Sequence, residues 1–235
     1  MRKILISDFD NTLYTDEKNM KLNIEKLKDF REAGNLFIVA TGRSYVSFEN
    51  KLKRYPIPFD YLILSHGTII LDRDKKLVLN FNIEKEIVNE ILDGLKYFKD
   101  IINKIKLFDI YNEDVKIDSE IITKIRVLTN TVEDANIISK YINNNFNVKS
   151  YVVNAKIYIF AEIIPINTDK GEAISRILDI ENIKEQNVYA IGDGSNDVEM
   201  ISKYNGYGMT KSDDCVKEVA KKLYDNVYDL IEDIM

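Results

Sequence analysis

The sequence predicts an α/β protein in which a parallel-sheet core is interrupted by an inserted α+β domain. Three observations carry that expectation. Short apolar runs alternate with helix-period stripes from residue 3 to residue 64, the pattern of strand–helix–strand crossovers. The core runs end in polar loops, where parallel sheets place their ligands. The alternation breaks near residue 68 and resumes past Pro165 with a further apolar run and a further acidic loop.

Lys3 to Phe9 is a nearly continuous apolar run opening into Asp8-Phe9-Asp10-Asn11-Thr12, as a buried parallel strand would. Asn23 is placed to cap a helix carrying Ile24, Leu27 and Phe30 on one face, with Gly34 at its end. Leu36 to Ala40 is a second strand, followed by Thr41-Gly42-Arg43, and Ser44 is placed to cap a helix bearing Phe48 and Leu52. Tyr61 to Leu64 is a third strand after the Pro56-Ile57-Pro58 break. Thr68 to Asp72 and Leu77 to Phe81, around Arg73-Asp74-Lys75-Lys76, read as a hairpin. In the insert, Ile87, Ile91 and Leu95 mark one helix and Ala135, Ile138 and Ile142 another. Lys104 to Tyr111, Ile121 to Leu128, Val148 to Val153 and Lys156 to Ile163 read there as strands. Then come a helix from Lys170 to Leu178, a strand from Asn187 to Ile191, the loop Gly192-Asp193-Gly194-Ser195-Asn196-Asp197 and a helix from Val198 to Tyr204. The expected core is therefore 1–81 with 166–235, and the insert 82–165.

Composition narrows the function. With 235 residues, 45% hydrophobic and 31% charged, the chain can bury a core and is not disordered. No apolar run approaches the ~18 residues of a spanning helix, and the N-terminus lacks a signal-peptide layout, so a cytoplasmic protein without membrane partners is expected. A net charge of −6 with scattered basic residues disfavours nucleic acid. The single cysteine, Cys215, leaves no internal disulfide and is expected as inert packing in a late helix. The single histidine, His66, makes a histidine-rich metal site or a Ser-His-Asp triad difficult to assemble. Carboxylates must carry any acid–base chemistry.

Asp8 and Asp10 stand two apart at a strand end, roughly 7 Å along the backbone on one face. One could attack a phosphorus or carbonyl centre while the other gives and then takes a proton; a bare D-x-D also fits a solvated strand end. Asp193 and Asp197, at a second strand end, shift that balance, because four carboxylates at one sheet edge repel unless a cation joins them. Hard oxygen ligands with room for water and phosphate suit Mg²⁺, although the same loop would also serve as an Asp- and Gly-rich turn. Thr41 and Lys170 add a hydroxyl and an ammonium able to hold phosphoryl oxygens; either could instead be an ordinary cap or a solvated lysine.

The order of these pieces, D-F-D-N-T at 8–12, A-T-G-R at 40–43, D-K-G at 169–171 and G-D-G-S-N-D at 192–197, resembles the haloacid dehalogenase (HAD) superfamily. The Ser65-His66-Gly67 loop, the insertion between Thr41 and Lys170 and the G-D-G-x-N-D form are similar to its Cof-type sugar-phosphate phosphatase branch. The resemblance implies an HAD-like Rossmannoid parallel-sheet core with an inserted α+β cap that sets specificity. It implies an Mg²⁺-dependent phosphohydrolase acting on small phosphorylated metabolites through an aspartyl-phosphate. Asp8 would be the nucleophile and Asp10 the general acid and base. Thr41 and Lys170 would hold the phosphoryl group, with Gly42, Arg43 and Asn196 on the substrate side. Asp8, the backbone carbonyl of Asp10 and Asp193 would bind Mg²⁺, with Asp197 orienting Lys170 or a metal-bound water. Asn11 stands where the family often has glycine. His66 stands where this branch usually has asparagine, and is expected either at the substrate entrance or as an exposed loop imidazole.

The rival readings are a phosphomutase of the phosphomannomutase type and a phosphometabolite-binding regulator without turnover. A mutase cap needs cations that hold a bisphosphate, and along the sequence Lys104, Lys106, Lys116, Lys124, Arg126, Lys149 and Lys156 form no obvious cluster. Tyr111, Tyr151 and Tyr158 are expected as strand packing rather than a sugar platform.

Overall fold

The computed structural model describes residues 2–155 and 158–235. Its strands are β1 (Ile4–Ser7), β2 (Leu36–Ala40), β3 (Tyr61–Leu64), β4 (Ile69–Asp72), β5 (Leu77–Asn80), β6 (Ile102–Phe108), β7 (Lys124–Thr129), β8 (Val148–Ala155), β9 (Tyr158–Pro165), β10 (Val188–Gly192), β11 (Asn205–Met209) and β12 (Leu223–Tyr224). Its α-helices are α1 (Glu17–Glu32), α2 (Tyr45–Arg54), α3 (Lys85–Leu95), α4 (Val132–Asn145), α5 (Lys170–Glu181), α6 (Val198–Lys203), α7 (Asp214–Val219) and α8 (Val227–Ile234). They form two compact units, Met1–Arg43 with Ser47–Leu79 and Asp169–Met235, and Ser44–Val46 with Asn80–Thr168.

The first unit is built on one sheet in the order β12-β11-β10-β1-β2-β3-β4-β5. From β12 to β3 every neighbour is parallel, and β4 turns back antiparallel to β3. Every residue of β1 and β2 is buried, which is why their sequences are continuous apolar runs. Ile4, Ile6, Leu36 and Ile38 pack with Ile174 and Ile177 of α5 and with Met200 and Ile201 of α6. Elsewhere in the unit α1 packs against β2 and α8. The parallel strands, the helices between them and the antiparallel departure at β4 are the α/β architecture read from the sequence.

Two local expectations change. Asn23 does not cap α1. The helix begins at Glu17, and its cap is Asp16, whose carboxylate accepts the Asn19 amide at 2.8 Å. Asn23 is buried inside the helix, donating to the Leu13 carbonyl at 2.8 Å and accepting the Tyr228 amide at 2.9 Å, so it ties the loop after β1 to the start of α8. Secondly, β11, β12 and α8 extend the core beyond the expected elements. β11 reads Asn-Gly-Tyr-Gly-Met and gives little apolar signal. Cys215 lies in α7, partly buried against the core.

The second unit is a four-stranded antiparallel sheet in the order β6-β7-β9-β8. Ile125, Val127, Ala161 and Ile163 face a core with Val88 and Ile91 of α3 and Ile138 and Ile142 of α4. Both helices thus take the period read from their stripes. The opposite face corrects the expectation of scattered cations, because alternation and register bring Lys104, Lys106, Lys124, Arg126 and Lys149 onto it. Lys116 lies in the segment between β6 and β7, and Lys156 is outside the described residues. Tyr158 is largely exposed, and Tyr111 lies beyond β6 with its ring edge-on to Tyr45, so neither is strand packing. No helix among the described residues is long and apolar enough to cross a membrane.

Candidate active site

The parallel register brings the carboxyl ends of β1, β2 and β10 side by side, with Ser7 level with Val39 and Ile191. The next residues along the chain are the polar ones. Asp8 is buried, and its amide is held by the Ile191 carbonyl at 2.9 Å. Lys170, the first residue of α5, is 1% exposed, and its Nζ donates to Asp8 Oδ1 and to Asp197 Oδ1, each at 2.5 Å. Asp169 caps that helix by accepting the Glu172 amide at 2.8 Å, fixing the turn that carries Lys170.

Asp197 uses its other oxygen, Oδ2, to accept the amides of Asp193 at 3.0 Å and Gly194 at 3.1 Å. Both of its oxygens are therefore engaged, and it positions Lys170 and the Asp193 loop. The fit requires a glycine at 192, where a Cβ would come within 2.5 Å of the Asp197 carboxyl carbon. Asp193 is aimed by Thr12, whose hydroxyl donates to Oδ1 at 2.7 Å, and by the Asn11 amide group at 3.4 Å from Oδ2. Asn11 adopts a left-handed φ of 60°, which asparagine accepts more readily than most residues.

Oxygens of Asp8, Asp193 and Asp197 lie within 4.8 Å of one another. Three carboxylates around a single lysine leave an excess of negative charge. Burial pushes the Asp8 carboxyl well above the ordinary carboxylate range, Lys170 opposes that, and Asp197 and Asp193 add to it. Asp193 is likewise raised, chiefly by burial and against its Thr12 hydrogen bond. Burial disfavours the Lys170 ammonium, but Asp197 and Asp8 outweigh it and hold the group protonated. Oxygen donors with surplus negative charge are the donor set of a hard divalent cation, so these residues fit Mg²⁺.

The other expected residues are arranged differently. Asp10 is half-exposed, and both its oxygens are clamped by Arg43, Nε to Oδ2 and Nη2 to Oδ1, each at 2.7 Å. Thr41 is buried, and its hydroxyl accepts the Arg43 amide at 3.2 Å. Asn196 lies half-buried in the turn Ser195–Asp197. Among the described residues neither Thr41 nor Asn196 hydrogen-bonds to Asp8, Asp193 or Lys170. His66 is not an exposed imidazole. It is 9% exposed at φ 60°, and a Cβ on Gly42 would lie 2.4 Å from its Cε1, so the ring seats directly on the Thr41-Gly42-Arg43 loop. Sequence reasoning named Thr12 only within a motif and left His66 open. Their hydrogen-bonding and packing roles arise between distant segments, which no local pattern reports.

The strand ends of a parallel α/β sheet thus gather buried carboxylates around one lysine. The family model for haloacid dehalogenase-like hydrolases matches residues 5–112 and 98–229, and the chain belongs to that family. A protein of Buchnera aphidicola subsp. Baizongia pistaciae named "Putative phosphatase" is 28% identical over 226 residues, covering 86% of this chain and 83% of its own length. The 5-amino-6-(5-phospho-D-ribitylamino)uracil phosphatase YcsE of Bacillus subtilis is 23% identical over 232 residues, covering 95% and 90%. Among solved structures, a haloacid dehalogenase-like hydrolase from B. subtilis superposes with a TM-score of 0.84 at 16% identity, covering 99% of this chain and all of its own, a likeness of fold.

Proposed function

We propose that the protein is an Mg²⁺-dependent phosphohydrolase that removes phosphate from small phosphorylated metabolites, such as sugar phosphates or related cofactor and nucleotide phosphates, in the cytoplasm. The observation that carries this reading is the buried Lys170 held between Asp8 and Asp197 with Asp193 beside them. Relatives named as phosphatases support it. The family's hydrolase description favours neither a phosphomutase nor a regulator without turnover.

In this mechanism an Asp8 carboxylate oxygen attacks phosphorus, and the P–O bond to the leaving group breaks as an aspartyl-phosphate forms. Asp10 protonates the leaving oxygen and then takes a proton from the water that attacks the phosphorus of the intermediate, whose bond to the Asp8 oxygen breaks to free the carboxylate and release inorganic phosphate. To reach the leaving oxygen, Asp10 must free one oxygen from Arg43, which otherwise holds both of them. Lys170 and Thr41 hold phosphoryl oxygens, with Gly42, Arg43 and Asn196 lining the substrate side. Asp8, the Asp10 backbone carbonyl and Asp193 would hold Mg²⁺, with Asp197 behind them. The ion would neutralise charge between the carboxylates and the phosphoryl group. The unit Asn80–Thr168 would serve as the cap that selects the leaving group.

The test is phosphate release from a panel of sugar, nucleotide and cofactor phosphates with Mg²⁺, using Asp8→Asn as the blank. The isosteric amide loses nucleophilicity with little change in volume, so turnover should fall by at least roughly 10⁴-fold in a folded protein. EDTA should stop the wild-type reaction and added Mg²⁺ restore it. Turnover by Asp8→Asn free of deamidation, or turnover indifferent to EDTA, would overturn the reading.

A further inference from the structure

The turn that follows β3 holds three consecutive residues in the left-handed region, Ser65 at φ 49°, His66 at φ 60° and Gly67 at φ 106°. Two of them carry side chains, for which this backbone is unfavourable, and it persists only where the surroundings over-determine it. Here the surroundings are the Thr41-Gly42-Arg43 loop. The Thr41 amide donates to the Ile63 carbonyl at 2.8 Å, the Ser65 amide to the Arg43 carbonyl at 2.9 Å and the His66 amide to the Thr41 carbonyl at 3.2 Å. The β2–β3 pairing thus runs on past both strand ends, and Gly42 is bracketed by a pinned carbonyl on each side.

The backbone alone does not call for a histidine at 66, since glycine takes that φ without strain. What histidine adds is its ring. The residue is buried, and its Cε1, Nε2 and Nδ1 stand where a Cβ on Gly42 would be. The ring therefore fills the space that the glycine leaves open and restricts rotation of the Gly42–Arg43 peptide. The amide of that peptide donates to the Thr41 hydroxyl at 3.2 Å, which turns the hydroxyl proton away from the loop and leaves it to donate elsewhere. On its other side the turn meets the start of α5. A Cβ on Gly67 would overlap the Asp169 carbonyl, and Asp169 is the cap that precedes Lys170. Loop, turn and helix cap are stacked with no space for a Cβ at either junction.

We propose that His66 is a positioning residue for Thr41. Its ring, wedged on Gly42, fixes the peptide whose amide orients the Thr41 hydroxyl, and the turn that carries it keeps that hydroxyl in register with Lys170. The catalytic consequence rests on the phosphohydrolase reading, in which Thr41 and Lys170 hold one phosphoryl group; the hold on the hydroxyl does not.

The experiment begins with amide hydrogen exchange in full-length, metal-free protein. His66→Asn and His66→Gly both accept the left-handed φ and remove the ring. Exchange is read at the Arg43 amide, with the Asp8 amide, held by the Ile191 carbonyl, as the internal reference. We expect exchange at Arg43 about tenfold faster in both variants and unchanged at Asp8. Activity is then compared in a double-mutant cycle with Thr41→Val, which removes the hydroxyl at similar volume, as kcat/KM for p-nitrophenyl phosphate with Mg²⁺. His66→Asn should lower kcat/KM about tenfold in the wild-type background and by less than about twofold in Thr41→Val. A ring that only supports the fold would give the same factor in both. Unchanged exchange at Arg43, equal factors in the two backgrounds, or unfolding of both ring-deleted variants overturns the proposal. If the wild type releases no phosphate while Arg43 exchange responds as expected, the hold on Thr41 stands and the phosphohydrolase reading falls.

Discussion

Lys170 in the first unit and Glu162 in the second are both almost completely buried, and each is one charge set between two of the opposite sign. Around Lys170 stand Asp8 and Asp197 with Asp193 close by, so the cluster is anionic. Around Glu162 stand Lys124 and Arg126 with Lys106 in the same row, so the cluster is cationic. The supports differ as well. The first cluster hangs on loops at strand ends and on the first turn of α5, where a ligand can meet backbone and side chains together. The second is set within strands, where the pleat dictates which side chains are neighbours. A buried charge cluster whose signs do not balance is stabilised by a ligand of the missing sign. By that reasoning the first cluster fits a cation.

Removing the central charge of each cluster is the strongest way to break this comparison. Lys170→Met leaves Asp8 and Asp197 facing each other without their shared cation. We expect a loss of about 3–5 kcal/mol at neutral pH, measured by urea unfolding without Mg²⁺, together with loss of turnover. Glu162→Gln leaves Lys124 and Arg126 without their strand carboxylate but keeps the volume. We expect a smaller loss of about 2–4 kcal/mol, because Arg126 is partly exposed and still stacked on two rings. Equal stability of either variant and the wild type would show that the flanking charges of that cluster do not depend on the central one.

A smaller effect is expected at the loop that joins motif to fold. Gly42→Ala pushes a methyl into the His66 ring and should cost about 1–3 kcal/mol while displacing Thr41 and Arg43. Removing the ring relieves the clash, so the double variant Gly42→Ala/His66→Ala should be more stable than Gly42→Ala alone. A strictly additive cycle would mean that ring and glycine do not meet in solution.

These residues also mark how far the sequence could be read. β2 and β3 fall at the residues that their apolar runs predict, because a strand covered on both faces has no polar period to obscure it. The carboxylates and Lys170 that meet at the strand ends were legible for the same reason, since each motif follows such a run or opens a helix. Local chemistry misassigned Asn23, because its partners, Leu13 and Tyr228, come from other elements. The cation row was invisible for a stronger version of that reason. Lys106, Arg126 and Tyr151 are adjacent only through cross-strand register, which a one-dimensional charge pattern does not encode.

The smallest expected effect is a slope. Burial raises the carboxyls of Asp8 and Asp193 above the ordinary range, so metal-free folded protein holds protons there that the unfolded chain has already released. Stability from these groups is complete below the ordinary carboxylate range and is lost as pH rises through their folded values. Metal-free protein should therefore gain stability on acidification from neutral pH through that window. Bound Mg²⁺ should flatten or reverse the trend, because protons then compete with the metal for the same oxygens. Other carboxylates also titrate, and Asp114 and Asp233 are lowered by their lysine partners and act in the opposite sense. The comparison with Asp193→Asn isolates the site, since the amide cannot titrate. Unfolding free energies of the two metal-free proteins, from urea titrations across this window, should diverge by about 1 kcal/mol or less, with the shallower slope in the variant. Parallel slopes would mean that Asp193 keeps an ordinary affinity for protons, and that among these two carboxyls the raised affinity belongs to Asp8 alone.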